Sequence, residues 1–270
     1  MQAGCKTLQS HVPSRSIGMC VVRFLCTVSI VPLFLIGCED PRSGAEDRTS
    51  VASTAAWSYE GPTGPDQWAT LSDAYAACDG AEQSPINLAE AEAPDAPTTL
   101  STSYSTQPGE VVDTGHAIQV NTTGGELTID GTSYELRQFH VHTPSEHTVN
   151  GTGYAAEIHL VHTAGDQQLA VLGILVEEGP EDHPALEDWS EGRDTTLAVN
   201  AGRLLPDRQS YYTYDGSLTT PPCREIVRWI VMDHPIQISK GQLTTLRAQH
   251  DGNARPVHPL SDRRLVYVGP

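Results

Sequence analysis

The stretch QFHVHTPSEHTVNGTGYAAEIHLVH, from Gln138 to His162, holds five of the chain's eleven histidines. It opens with an alternating run, Gln138-Phe139-His140-Val141-His142. Residues two apart on a β-strand point to the same face, so Gln138, His140 and His142 are expected to project together. A second alternating run, Glu157-Ile158-His159-Leu160-Val161, puts Glu157, His159 and Val161 on a common face. If the two strands lie near each other, three imidazoles converge. His162 is three residues past His159 and belongs to the opposite face, and His147 follows a Thr-Pro-Ser turn, so both fit this cluster less well.

A lone histidine is usually structural or surface-exposed. Two at i, i+2 on an apolar strand are harder to dismiss, because buried imidazoles need partners. Three neutral histidines plus water are the ligand set of a catalytic zinc site with an open fourth position. Metal-bound histidines usually give their other N–H to a carboxylate, amide or carbonyl. Gln138 and Glu157 stand where strand periodicity lets each support a neighbouring ligand. A closed structural site would need a fourth protein ligand.

Around this stretch the chain is mostly short extended segments separated by turn residues. Glu110–Val120 leads to a Thr-Thr-Gly-Gly turn at 122–125, then Leu127–Ile129, then Asp130-Gly131, a hairpin signal. Ser133–Val141 runs into the first histidine strand. LAVLGILV at 169–176 is a continuous apolar run, as expected of a buried central strand. Ile226–Met232 is a further apolar strand. Asp66–Ala77 reads as a short helical or turn region. Asp182–Glu191 and Ser239–His250 read as helices, the latter with a serine cap. The pattern predicts one β-dominated domain with a few short surface helices, and leaves the parallel or antiparallel order of the strands open.

The first 37 residues have a different character. Lys6, Arg15 and Arg23 precede or open the apolar core FLCTVSIVPLFLIG at 24–37, which has the length of a signal peptide rather than of a membrane span. Leu35-Ile36-Gly37-Cys38 resembles a bacterial lipobox, which makes Cys38 the expected lipidation site; an ordinary cleaved signal or an uncleaved anchor are the alternatives. Residues 38–56 are polar, small and aperiodic, a flexible tether. The folded domain is expected at 57–270, a length sufficient for one substantial core. The protein is therefore expected to be exported to the periplasm or cell envelope, touching membrane only through the lipid.

Cys5, Cys20 and Cys26 fall in the leader and Cys38 is taken by the lipid, which leaves Cys78 and Cys223 as an even pair in an exported chain. That suggests a disulfide; two buried free thiols are the alternative. From Glu39 onward 13 basic residues face 34 acidic ones, a balance of −21. Such a surface repels nucleic acid and favours solubility.

Several segments together resemble the α-class carbonic anhydrases of exported bacterial kind. They are CDGAEQSPIN at 78–87, GHAIQV at 115–120, QFHVHTPSEHTVNG at 138–151, EIHLVH at 157–162, LAVLGILV at 169–176 and YTYDGSLTTPPCREIVRWIV at 212–231. The resemblance implies a single domain, mainly β (α+β), built on a large twisted and mostly antiparallel central sheet with short surface helices. It implies Zn²⁺ held by His140, His142 and His159, with Gln138, Glu157 and the backbone of Asn253 behind them. It implies reversible hydration of CO₂ to bicarbonate and a proton by attack of zinc-bound hydroxide, with esterase chemistry as a side reaction.

Other roles follow from the same resemblance. Thr219 and Glu146 take an orienting role: an ionised Glu only accepts hydrogen bonds, so Thr219 donates to it and accepts from the hydroxide. Val161, already on the ligand face by alternation, is joined by Val171, Leu218, Val227 and Trp229 in an apolar pocket for CO₂. His116 resembles the family's proton shuttle, and histidine's ordinary pKa suits proton relay near neutrality. Tyr59, Thr114 and Gln119 fall near the water network that carries the proton. Thr114 and Gln119 replace asparagines common in the family, and Ala254 lacks the bulk of many relatives. A non-catalytic binding module on the same fold is the competing reading, set against it by the presence of all three histidines, Thr219 and Glu146. A last expectation is that the Cys78–Cys223 bond fixes the Thr219 loop over the metal centre.

Overall fold

In the computed structural model the described residues are 55–96, 98–165, 167–186 and 195–269. The expected leader, Cys38 and the expected tether up to residue 54 lie outside them. The strands, in chain order, are β1 (Asn87–Leu88), β2 (Leu100–Tyr104), β3 (Gln107–Asp113), β4 (Ile118–Thr122), β5 (Gly125–Ile129), β6 (Thr132–His142) and β7 (Thr148–Val149). There follow β8 (Ala156–Thr163), β9 (Leu169–Gly179), β10 (Thr195–Val199), β11 (Tyr211–Gly216), β12 (Val227–Met232), β13 (Ile236–Ser239) and β14 (Val266–Val268). Twelve of them form one mixed sheet, with a main path β10-β3-β4-β6-β8-β9-β12-β11-β14; β1 and β7 make a separate two-stranded ribbon. Within the large sheet every pairing is antiparallel except those of β9 with β12 and β13.

Local sequence explains much of this. Asp130 and Gly131 connect β5 to β6 with φ of 48° and 82°, the left-handed pair that a two-residue hairpin turn takes. β9, the continuous apolar run, is buried on both faces from Ala170 to Val176, as a strand with parallel neighbours at the sheet's centre should be. Glu110–Val120 is split by a turn at 114–117, so that His116 sits between β3 and β4.

The bulge in β6 decides which face the histidines occupy. Leu136 pairs with His162 but Gln138 pairs with Val161, so Arg137 is an extra residue in the ladder. Such a bulge re-aims the side chains beyond it. Before it, Leu136 joins the main core; after it, Phe139 and Val141 do. Gln138, His140 and His142 are thereby turned to the other face.

The main core covers that first face with Phe139, Val141, Ile158, Leu160, Leu172 and Ile174. A second cluster, including Val171, Leu175, Tyr214, Val227, Trp229 and Val231, lies on the face that carries the histidines. A third gathers Trp68, Tyr75, Cys78 and Cys223, with Trp57 and Tyr59 against them.

Helices are few. α1 (Trp68–Leu71) is one turn between short 3₁₀ segments, within the region expected to be helical or turn. α2 (Lys240–Gln249) is capped by the Ser239 hydroxyl, which accepts from the Gln242 N–H at 3.1 Å. The helix expected over Asp182–Glu191 is corrected in its described part: 184–186 form a turn, where His183 N–H donates to Gln242 Oε1 at 2.7 Å instead of starting a helix. Among the described residues no helix is long and apolar enough to cross a membrane.

Candidate active site

Strand register assembles the histidine cluster. Across β6 and β8, His140 pairs with His159, Gln138 with Val161 and His142 with Glu157. The ring centroids lie 5.0 Å (140–142), 5.2 Å (140–159) and 4.6 Å (142–159) apart. Each imidazole has one nitrogen tied down. His140 Nδ1 meets Gln138 Oε1 at 2.8 Å, His142 Nδ1 meets the Asn253 carbonyl at 2.7 Å, and His159 Nε2 meets Glu157 Oε1 at 3.0 Å. Gln138 and Glu157 are the partners that strand periodicity anticipates, and the Asn253 carbonyl is the one the family resemblance implies.

The nitrogens left over are His140 Nε2, His142 Nε2 and His159 Nδ1. The cluster satisfies the proximity required of a shared ion, with ligand atoms within 4.8 Å of one another. His142 Nε2 is buried without a hydrogen-bond partner, a costly state for a polar atom that a cation would relieve. Desolvation first, then the fields of neighbouring histidines, push His140 well below the ordinary histidine value; burial also lowers His142 and His159. Neutral imidazoles are what a metal needs.

Behind this cluster stands a second group, His147, Glu157 and His159. Its close contacts are hydrogen bonds. Glu157 Oε1 meets His147 Nδ1 at 2.7 Å as well as His159, and its Oε2 accepts from the backbone N–H groups of Glu146 and His147 at 3.0 and 2.8 Å. Burial alone would raise the Glu157 pKa, yet His147 and His159 hold it well below the usual carboxylate range. His147 Nε2 continues to Tyr214 Oη at 2.6 Å, and Tyr214 donates to Ser84 Oγ at 3.0 Å. Sequence periodicity set His147 aside; it is a supporting residue brought in from a turn. Gly173, opposite His159 on β9, is equally unannounced: a Cβ there would lie 2.9 Å from Glu157 Oε1.

Glu146 is 2 % exposed and sits against the histidines, with Oε2 3.5 Å from His142 Nε2 and 3.9 Å from His159 Nδ1. Its Oε1 accepts from the Arg255 backbone N–H at 2.9 Å. Burial pushes Glu146 up to about 7, opposed by His159, the Arg255 N–H and the Thr219 side chain. Thr219 is thus close enough to act on the carboxylate, although Oε2 has no partner of full hydrogen-bond geometry. Arg255, also unforeseen, anchors the segment: its guanidinium donates to Gln83 Oε1, Ser84 O and Cys78 O at 2.9, 2.9 and 3.1 Å.

Thr219 lies in the loop from β11 to β12. Leu218 N–H donates to Arg224 O, and Cys223 N–H to Thr220 O. Cys223 is disulfide-bonded to Cys78. Beside the loop, Val171, Val227 and Trp229 pack with the partly buried Val161 and Leu218 in one apolar cluster. The Trp229 ring lies 4.9 Å from that of His159. All five residues expected in the pocket are therefore neighbours.

The residues expected along the proton path are more dispersed in role. His116 is stacked on Trp57, with centroids 3.6 Å apart and planes at 12°. Tyr59 belongs to the same aromatic group, and its buried hydroxyl finds no protein partner. The Thr114 hydroxyl is spent on its own turn, bonding to Ala117 O and accepting from Ala117 N–H. Gln119 pairs with His140 in register but donates to Asn121 Oδ1 at 2.7 Å.

Comparison with known proteins agrees with this geometry. The model of the eukaryotic-type carbonic anhydrase family matches residues 63–268. The chain belongs to the eukaryotic-type carbonic anhydrase family. It is 40 % identical over 222 residues to a carbonic anhydrase of Klebsiella pneumoniae, covering 78 % of this chain and 90 % of that one. It is 36 % identical over 231 residues to a carbonic anhydrase of Pectobacterium carotovorum, covering 81 % and 93 %. Among solved structures, the α-carbonic anhydrase of Thermovibrio ammonificans, in complex with the inhibitor sulfanilamide, superposes with a TM-score of 0.74 at 39 % identity, covering 78 % of this chain and 99 % of that one. The expected fold class is the observed one, and the α-carbonic anhydrase comparison accounts for the mixed twelve-stranded sheet with few helices.

Proposed function

We propose that this family member interconverts CO₂ and bicarbonate at a zinc ion held by His140, His142 and His159. The observation that carries the reading is the set of three imidazoles with one nitrogen each tied down and the other left toward a common space. Bound zinc would supply the positive charge that brings the pKa of a water to about 7, the value known for carbonic anhydrase itself.

The chain's own residues do the rest. Glu146, as a carboxylate, accepts a hydrogen bond from the Thr219 hydroxyl, so the Thr219 oxygen in turn accepts from the attacking oxygen and aims it. Val161, Val171, Leu218, Val227 and Trp229 give uncharged CO₂ an apolar place to stand. The new C–O bond yields bicarbonate, and the proton released passes to His116 and then to buffer. The same nucleophile would attack activated esters slowly. Export, with lipid anchoring at Cys38, is supported by the lipobox-like LIGC at 35–38, and the Cys78–Cys223 bond favours an oxidising compartment.

The test is CO₂ hydration by the full chain, stripped of zinc by a chelator, then reloaded. Activity should vanish and return, and His159→Ala should lose both zinc and activity by more than about 100-fold, beyond what loss of a mere supporting partner costs. A metal-free protein that hydrates CO₂ at full rate would overturn the proposal.

A further inference from the structure

The turn that presents His116 is gripped from one side by a single short segment. Asp113, the last residue of β3, accepts two hydrogen bonds at the same oxygen, Oδ1. One comes from the Gly115 N–H at 2.8 Å, the other from His250 Nε2 at 2.7 Å. His250 caps the C-terminus of α2. Three residues on, Asn253 Nδ2 donates to the carbonyl oxygen of His116 itself at 3.0 Å. The Asn253 carbonyl is also the group that holds His142. Segment 250–253 therefore holds the start of the turn, the His116 backbone and a candidate metal ligand together. The Asp113 and His250 side chains are only 24 % and 18 % exposed, so their pairing is better shielded than a surface ion pair. The turn needs holding: Gly115 has φ of 81°, and both it and Thr114 are exposed.

We infer that Asp113 and His250 are a positioning pair for His116, setting where the proton acceptor stands relative to the metal centre. The inference rests on the reading of His116 as that acceptor. The pair does not touch the reacting atoms; it acts by fixing the backbone from which the His116 ring reaches the Trp57 face. Proximity is independently evident in electrostatics: after burial, the charge of His250 is the next influence lowering the His116 pKa. Proton transfer is sensitive to donor–acceptor placement, as any step that depends on a prepared geometry is.

The experiment uses the zinc-loaded full chain and steady-state CO₂ hydration in dilute, non-donating buffer, with and without added imidazole. His250→Ala and Asp113→Asn should each lower kcat about fivefold, a modest share of what misplacement can cost. In both, kcat/KM should be unchanged and imidazole should restore kcat. His250→Gln, which still offers an N–H to Asp113, should recover most of the loss. In the His116→Ala background, His250→Ala should add nothing, since the pair acts through His116. Unchanged kcat in both single variants would overturn the inference, provided His116→Ala itself lowers kcat. If His116→Ala leaves kcat unchanged, the reading of His116 falls and the inference with it. A parallel fall in kcat and kcat/KM, or a further loss on top of His116→Ala, would also overturn it.

Discussion

His159 and His162 stand on one strand, three residues apart, and both are almost fully buried. Their chemistry is nevertheless opposite, because the pleat sends them to different sides of the sheet. His159 faces His140, His142 and Glu157, in a group rich in polar partners. His162 faces the aliphatic core, with its Nε2 2.8 Å from Tyr104 Oη. Burial lowers His162 to about 4, with only partial relief from the backbone of Ala170 and Leu160. One face of the sheet thus holds imidazoles in a polar frame with coordinating atoms free. The other holds a neutral imidazole as a packed core residue. The same residue type becomes candidate ligand or core according to which neighbours the sheet supplies.

The comparison is best attacked on the polar side, at Glu157. Glu157→Gln removes the charge that serves both His159 and His147, and should weaken zinc binding about 10- to 100-fold, the range for outer partners of metal ligands. Competition with a chromophoric chelator reads this directly, and undiminished affinity would show that the polar frame is incidental. A smaller effect in the same direction is expected from Gly173→Ala. The added Cβ would stand 2.9 Å from Glu157 Oε1, so the carboxylate must shift although four hydrogen bonds hold it. Zinc affinity should fall by about tenfold, the low end of that range; wild-type affinity would mean that the carboxylate moves freely.

The disulfide gives a further contrast. Cys223 closes the loop of Thr219, while Cys78 lies beside the Arg255 anchor of Glu146. Mild reduction should lower hydration activity by a few-fold before circular dichroism reports unfolding, on the view that placement of catalytic groups matters to rate. Simultaneous loss of activity and fold would assign the bond to stability alone, to which loop-closure models attribute roughly 5 kcal/mol for a span of 145 residues.

The least effect on activity is expected from the apolar side. His162→Gln should leave zinc affinity and turnover near wild type. It should instead alter how stability depends on pH. A histidine at about 4 in the fold and 6.5 when unfolded binds its proton preferentially in the unfolded chain. Stability therefore falls as pH drops from 6.5 toward 4, by at most about 3 kcal/mol, and is flat in this term outside that window. Urea titrations of metal-free protein across the window should show a shallower fall in His162→Gln. A clear loss of turnover at neutral pH in this variant would break the division between the two faces.

How far the sequence reaches can be judged from particular residues. Period-two alternation carried Gln138, His140, His142, Glu157, His159 and Val161 to one face, because the pleat is a local property of the backbone. It excluded His162 correctly for the same reason. It did not foresee that Arg137 would shift the register, since a bulge depends on what the partner strand offers. Nor did it give a place to His147, whose partners Glu157 and Tyr214 lie 10 and 67 residues away. Arg255 and Gly173 carried no signal beyond residue type.

The sequence by itself determined the chemistry available: three histidines on two alternating strands, an amide and a carboxylate two residues before candidate ligands, an even pair of cysteines and an acidic surface. Family resemblance added Thr219, Glu146, His116 and the apolar pocket as a set. Only the tertiary structure decided which nitrogen of each imidazole is engaged, how Glu157 serves two histidines at once, and why segment 250–253 reaches both His142 and the His116 turn. The reach of that segment depends on groups more than a hundred residues apart meeting at hydrogen-bond distance, and the double service of Glu157 on a turn and a strand being brought together. Local periodicity sets the face a side chain takes. The packing of distant segments sets what it meets there.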